Sequence, residues 1–323
     1  MERGDHMSSP SAVDAFPGFV ALDALAVLEG ERPGASVQLT EGYLHGQQRM
    51  LEAIDRPDVT DDRVDTCQES RRIWGDLHVD IGSRTEGNLQ EASTRLRDLL
   101  RGLPEVRYLR DRYPETCFVV PEWLRTPGEV QYGARVYFFA DEAPAPDEIL
   151  DRNIRAVLDE SPGAFDRYLG SLHGYPECCV DYYAGAKRSP AAESPEARSI
   201  APLADIVDEE RVHGGAPSSS SVTEILPGFF ERPQSYAFFA HAFYPEPECD
   251  AARRTGISIY ETLAESLPES LVRDYFRVNF GWSYLLERSA RRRVDCVPEP
   301  GAFGREHALL YLPLQILLET GVY

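Results

Sequence analysis

The chain has 323 residues, 42% of them apolar, which is long enough to bury one large core or two ordinary ones. Its 33 basic and 54 acidic residues leave a net charge of −21, a global field that repels nucleic acid unless a local basic patch intervenes. No apolar run reaches the length needed to span a bilayer, and the N-terminus lacks a charged-then-apolar signal pattern.

Residues 1–15 read as a disordered leader, with Met7 as an alternative start and His6 therefore not counted as a ligand. An α+β module is expected over 16–160. Residues 18–30 carry an apolar-rich segment that ends in glycine, as a helix does. Residues 41–54 place Leu44, Met50 and Leu51 at helical intervals, and 77–81 alternate as a short strand. Residues 88–103 form an amphipathic helix with Leu89, Leu96, Leu99 and Leu100 on one side. Two β-rich runs follow at 117–120 and 134–139, separated by turn sequence.

The second half, 161–323, is expected to be mainly helical. Residues 146–158 and 163–172 read as helices, the latter running into a cysteine motif. From 187 to 221 Pro, Ser, Ala and acidic residues dominate, predicting a flexible excursion with a helix around 203–211. An aromatic-rich stretch at 229–244 precedes helical patterns at 249–267, 271–288 and 305–320. The fold class is α+β: a small β-containing N-terminal module and a mostly helical C-terminal half.

The chemistry-bearing stretch is His173-Gly174-Tyr175-Pro176-Glu177-Cys178-Cys179-Val180. Pro176 has φ preset near the helical value and lacks an N–H that a first turn leaves unused, so it suits the first helical position. Cys178 and Cys179 then fall in a first turn, where unpaired N–H groups and the positive end of the macrodipole favour thiolate. A second proline-rich turn, residues 240–250, brings His241 and Cys249 to another helix start. His173, Cys178, Cys179, His241 and Cys249 thus form a candidate set for zinc, iron or an iron–sulfur cluster. Without metal, Cys178 or Cys179 would be the nucleophile and His241 or His173 its base.

The bland reading stands beside this one. Adjacent cysteines point about 100° apart around a helix, so both rarely reach one metal, and buried Cys packs like a small hydrophobe. Two further readings remain open: a non-catalytic scaffold displaying the aromatic stretch 229–244, and a vicinal-dithiol redox switch. Cys67, Cys117 and Cys296 are isolated, with Cys117 expected as buried filler in a strand. His78 reads as a core imidazole and His213 as a linker residue. Arg288, Arg291, Arg292 and Arg293 form the concentrated basic patch, the one place where a phosphate or acidic partner would dock. Partners are otherwise unspecified, with no membrane among them.

Six cysteines in so long a chain do not make a disulfide framework, so a cytoplasmic protein with reduced thiols is expected. Lys187 is the only lysine. An acidic, lysine-poor surface stays soluble in concentrated salt, which points to a halophilic archaeal source; high-GC codon bias explains the arginine preference but not the acidic excess.

The G-Y-P-x-C-C-V pattern of residues 174–180, followed by the His241 to Cys249 turn, resembles an archaeal family of uncharacterised domains, domain-of-unknown-function family 483. The resemblance spans residues 166–267 and implies a vicinal cysteine motif and a second turn with two cysteines near a histidine. This chain lacks the cysteine expected near Tyr244 and Pro245, which removes one ligand of a four-sulfur site. The family implies no established activity.

Overall fold

A computed structural model describes residues 18–39, 72, 85–102, 104–126, 129–159, 162–186, 194–207 and 226–292. The expected elements at 41–54, 77–81 and 305–320 lie outside these residues, as do Cys67, His78, His213, Arg293 and Cys296.

Helix α1 (Gly18–Leu28) is apolar nearly all round and is buried accordingly, with Leu22, Ala26 and Val27 in the core. It ends at Gly30, whose φ of +81° lets Glu31 N–H reach the Ala26 carbonyl (3.0 Å) and its own N–H reach that of Val27 (3.0 Å). Strand β1 (Gly34–Leu39) follows, unanticipated because its short GASVQL run carries only two large apolar side chains. Helix α2 (Glu86–Leu100) is capped by the Thr85 hydroxyl, which accepts from Asn88 N–H. Helix α3 (Pro104–Arg112) was also not anticipated.

Strands β2 (Cys117–Thr126) and β3 (Glu129–Phe139) are longer than the apolar runs that announce them. All three strands pair antiparallel in the order β1-β3-β2, with Val37 opposite Val136 and Phe118 opposite Tyr137. Pro121 is tolerated because β2 is an edge strand. One face of the sheet, including Val119, Trp123 and Val136, packs against α2 and helix α4 (Pro146–Leu158). Asn153 of α4 clamps the β2 edge, accepting from Trp123 N–H at 2.7 Å and donating to its carbonyl at 3.1 Å. The Trp123 indole donates to Ser93 of α2 at 2.9 Å. On the other face Phe118, Tyr137 and Phe139 stack.

Helices α5 (Pro162–Leu172) and α6 (Glu177–Ala186) pack together. Within the expected excursion, helical structure begins earlier than residue 203, and residues 208–211 lie outside the described residues: α7 (Pro195–Ile200) continues as a 3-10 turn at Ala201–Ile206. Ser194 explains the shift, because its hydroxyl accepts from Ala197 N–H at 3.1 Å and Pro195 opens the first turn. The aromatic stretch forms two 3-10 turns, Phe229–Glu231 and Pro233–Ala237, before α8 (Asp250–Ser266) and α9 (Glu269–Arg292). Its rings turn inward: Phe229, Phe238, Phe239 and Phe243 are buried, and Phe238 packs on Phe280. A surface built from these rings is therefore not what the fold presents. The buried side chains of both halves form one continuous cluster, and the α+β class is as expected. Among the described residues no helix is long and apolar enough to cross a membrane.

Candidate metal centre

The G-Y-P motif is a helix-to-helix joint. Gly174 has a φ of +67°, its N–H bonds the Ser171 carbonyl (3.1 Å), and Tyr175 N–H bonds that of Gly170 (2.9 Å). This pair of bonds closes α5 with a Schellman motif. The chain then restarts at once, since the Pro176 carbonyl accepts the first helical bond of α6 from Val180 N–H (3.1 Å). Pro176 therefore sits one place before the first helical residue, and both cysteines lie in the first turn.

Cys249 arrives from the far side, at the N-cap of α8. Its turn is held by the Ser199 hydroxyl, which donates to the Pro245 carbonyl (2.5 Å), and by Tyr244 stacked on Tyr183 with centroids 5.7 Å apart. Ala242 and Glu248 adopt left-handed φ values of 55° and 60°. Such backbone costs on the order of 1 kcal/mol or more per residue and persists only where surrounding contacts fix it.

The result is a three-sulfur cluster. The sulfurs of Cys178, Cys179 and Cys249 all lie within 4.8 Å of one another, and those of Cys178 and Cys249 are 3.2 Å apart. The roughly 100° divergence of neighbouring helical residues does not keep the pair from one centre, since both sulfurs lie within 4.8 Å of that of Cys249. Cys178 is exposed, whereas Cys179 and Cys249 are buried. Glu246 N–H donates to the Cys179 sulfur at 3.4 Å.

The three thiols differ in acidity. Burial alone would raise Cys249, but the N–H groups of Ala252 and Ala251 and the other two thiols outweigh it, so its pKa lies below the usual value. Burial, then the Cys249 sulfur, pushes Cys178 up. Cys179 is raised most of all, by burial against a partial offset from Glu246 N–H. Cys249 is thus the first thiolate, and each further ionisation works against the charge already present. A cation among the sulfurs would favour ionisation of all three together.

The two expected histidines are not members of the sulfur group. His173 is buried, edge-on to Tyr175 with centroids 5.3 Å apart, and its Nε2 has no hydrogen-bond partner. Its carbonyl accepts from Arg32 Nε at 3.3 Å, and Arg32 pairs with Asp23 at 3.0 Å. His241 donates its backbone N–H to the same carboxylate at 3.3 Å, and the Tyr275 hydroxyl also bonds Asp23. Arg135 donates to Glu122 at 3.1 Å and to the Ser36 hydroxyl at 3.2 Å. Both histidines therefore join a polar seam through their backbone groups, and the Arg135 guanidinium lies near enough to lower the pKa of both rings. Asp23 had a sequence signal, being the only charge inside an apolar helix; Arg32, Glu122, Arg135 and Tyr275 had none.

Cys117 is buried in β2, where desolvation pushes its pKa up to about 12, as expected of inert filler. Arg288, Arg291 and Arg292 fall on the last turns of α9. No family model, curated protein or solved structure matches this chain.

Proposed function

We propose that the protein binds one thiophilic metal ion, zinc or iron, through Cys178, Cys179 and Cys249. The observation that carries this reading is the meeting of three sulfurs within 4.8 Å from helix starts 71 residues apart in sequence. At a zinc–sulfur distance of about 2.3 Å, sulfurs in a tetrahedron stand about 3.8 Å apart. The 3.2 Å Cys178–Cys249 pair would have to open to reach that spacing, and the other two separations, both within 4.8 Å, lie within reach of it. Among the described residues no fourth side-chain ligand joins the group. Three protein ligands with one remaining position is the ligand count of catalytic rather than structural zinc sites, and the exposed Cys178 puts that position at the surface. An ion held there supplies Lewis acidity; the chain's own part is to fix three sulfurs on rigid helix starts. An enzyme acting at that position is the fuller form of this proposal. A reducing compartment, the cytosol, keeps the thiols available, and the −21 charge suits a salt-rich interior such as that of a halophilic archaeon.

A second reading rests on the 3.2 Å contact between Cys178 and Cys249. These two, rather than the vicinal pair, are placed to form a disulfide: Cys178 thiolate attacks glutathione disulfide, releasing one glutathione thiolate and leaving a mixed disulfide, and Cys249 thiolate then attacks the Cys178 sulfur, releasing the second. Oxidation by glutathione disulfide then yields one protein disulfide and two glutathione thiols.

Elemental analysis of protein purified without chelator separates the readings. The metal reading expects one equivalent of metal in wild type, lost in Cys178→Ser, Cys179→Ser and Cys249→Ser and kept in Cys117→Ser. Metal content that is negligible in wild type, or unchanged in Cys249→Ser, overturns it. The redox reading then requires that glutathione disulfide remove two titratable thiols from wild type and none of that pair from Cys178→Ser.

A further inference from the structure

A cavity of about 460 Å³ opens between the C-terminal end of α2, helix α3, strand β2 and the proline-rich segment that leads into α4. Its volume falls in the range of small-molecule sites. Arg97 and Arg101, one helical turn apart, and Arg110 of α3 line it, together with the apolar residues Val106 and Val119. Two carboxylates, Asp147 and Glu115, also reach the wall. Three guanidinium groups against two carboxylates make this lining positive in a chain whose net charge is −21.

The arginines are not used up by their ion pairs. Arg97 bonds Asp147 at 2.6 Å, Arg101 lies 3.7 Å from Asp98, and Arg110 lies 3.4 Å from Asp111. All three carboxylate side chains are more than 70% exposed, so water competes for them and the pairs neutralise their arginines weakly. Each guanidinium carries five donors, and these contacts occupy few of them. Arg97 Nε is moreover buried without a hydrogen-bond partner.

We propose that this cavity binds a small organic anion. Its phosphate or carboxylate head lies among Arg97, Arg101 and Arg110, and its apolar body rests on Val106 and Val119. Guanidinium presents paired N–H groups that match two oxygens of either head, and a cavity with apolar walls strengthens that pairing. The site is separate from the three-cysteine cluster and does not depend on the metal reading.

Calorimetric titration of the full-length chain at low salt with phenyl phosphate, benzoate and phenol tests this. The expected result is saturable one-to-one binding of at least one of the two anions and none of phenol; which anion binds identifies the head. Arg101→Gln and Arg110→Gln should each weaken that binding about tenfold, the worth of a charge-assisted hydrogen bond. Arg97 is left intact, because its bond to Asp147 joins α2 to the start of α4. Arg167→Gln, which removes the same charge from an exposed pair with Asp181, should leave affinity unchanged. Thermal unfolding of each variant confirms that it is folded before titration. Absence of saturable binding by both anions overturns the proposal. So does unchanged affinity in Arg101→Gln and Arg110→Gln, or an equal loss in Arg167→Gln.

Discussion

His241 ties the stability of the buried seam to pH. Loss of solvent is the larger influence and the Arg135 guanidinium the second; together they hold its pKa down to about 3. Burial, then Arg32 and Arg135, pushes His173 well below its ordinary value too. In the unfolded chain both imidazoles titrate near 6.5, so below that pH the unfolded state binds protons that the native state refuses. Stability from this source is fully present above about pH 6.5 and is lost as pH falls toward 3. For His241 alone the loss at pH 5 is about 2 kcal/mol, at 1.36 kcal/mol per pH unit. His241→Gln keeps the backbone N–H that serves Asp23 and removes the titrating ring. Urea unfolding of wild type and variant at pH 7 and pH 5 measures the difference, in which changes at Asp23 and in overall charge cancel. An identical pH response in the two proteins refutes the assignment.

Between elements, the tightest constraint is at Gly256 of α8. A Cβ there would stand 1.7 Å from the Tyr236 carbonyl oxygen, so the helix backbone lies directly on the 3-10 turn Pro233–Ala237. Main chain cannot yield as a side-chain tip can, and Gly256→Ala should cost about 3 kcal/mol or more. A urea midpoint close to that of wild type would show that the contact is looser than drawn. On the metal reading, Gly256→Ala also shifts α8, whose N-cap is Cys249, so metal content should fall with stability. The contact is invisible in the sequence, where Gly256 is an isolated glycine in a helical pattern. What could be read were features written in adjacent residues. Pro176 and the 245–247 prolines announced two helix starts. The placement of Cys249 against Cys178 depends on how α8 packs, and no local pattern encodes that. Strand β1 escaped notice for a related reason: paired with the apolar β3 over six residues, it needs little propensity of its own. His173 and His241 were grouped with the cysteines by proximity in sequence, whereas burial drew them to Arg32, Arg135 and Asp23 instead.

Over the whole molecule, charge sets the response to salt. With 54 acidic and 33 basic residues, even complete pairing would leave 21 carboxylates unmatched. Exposed pairs such as Arg232–Asp205 and Arg152–Glu148 contribute about 0–1 kcal/mol each, and added salt weakens them. The buried pairs Arg32–Asp23, Arg135–Glu122 and Arg277–Asp274 are shielded from mobile ions and change little. Repulsion among surface carboxylates, by contrast, acts over many pairs at distances comparable to the screening length. That length falls from about 10 Å at 0.1 M salt to about 3 Å at 1 M. Relief of repulsion therefore outweighs the loss of surface pairs, and the urea midpoint should rise between 0.1 M and 1 M potassium chloride. Sucrose at matched water activity is the control for solvent exclusion, and the rise in potassium chloride should exceed it. A midpoint that falls with salt would mean that the exposed arginine pairs, not the unmatched carboxylates, govern the stability of this fold.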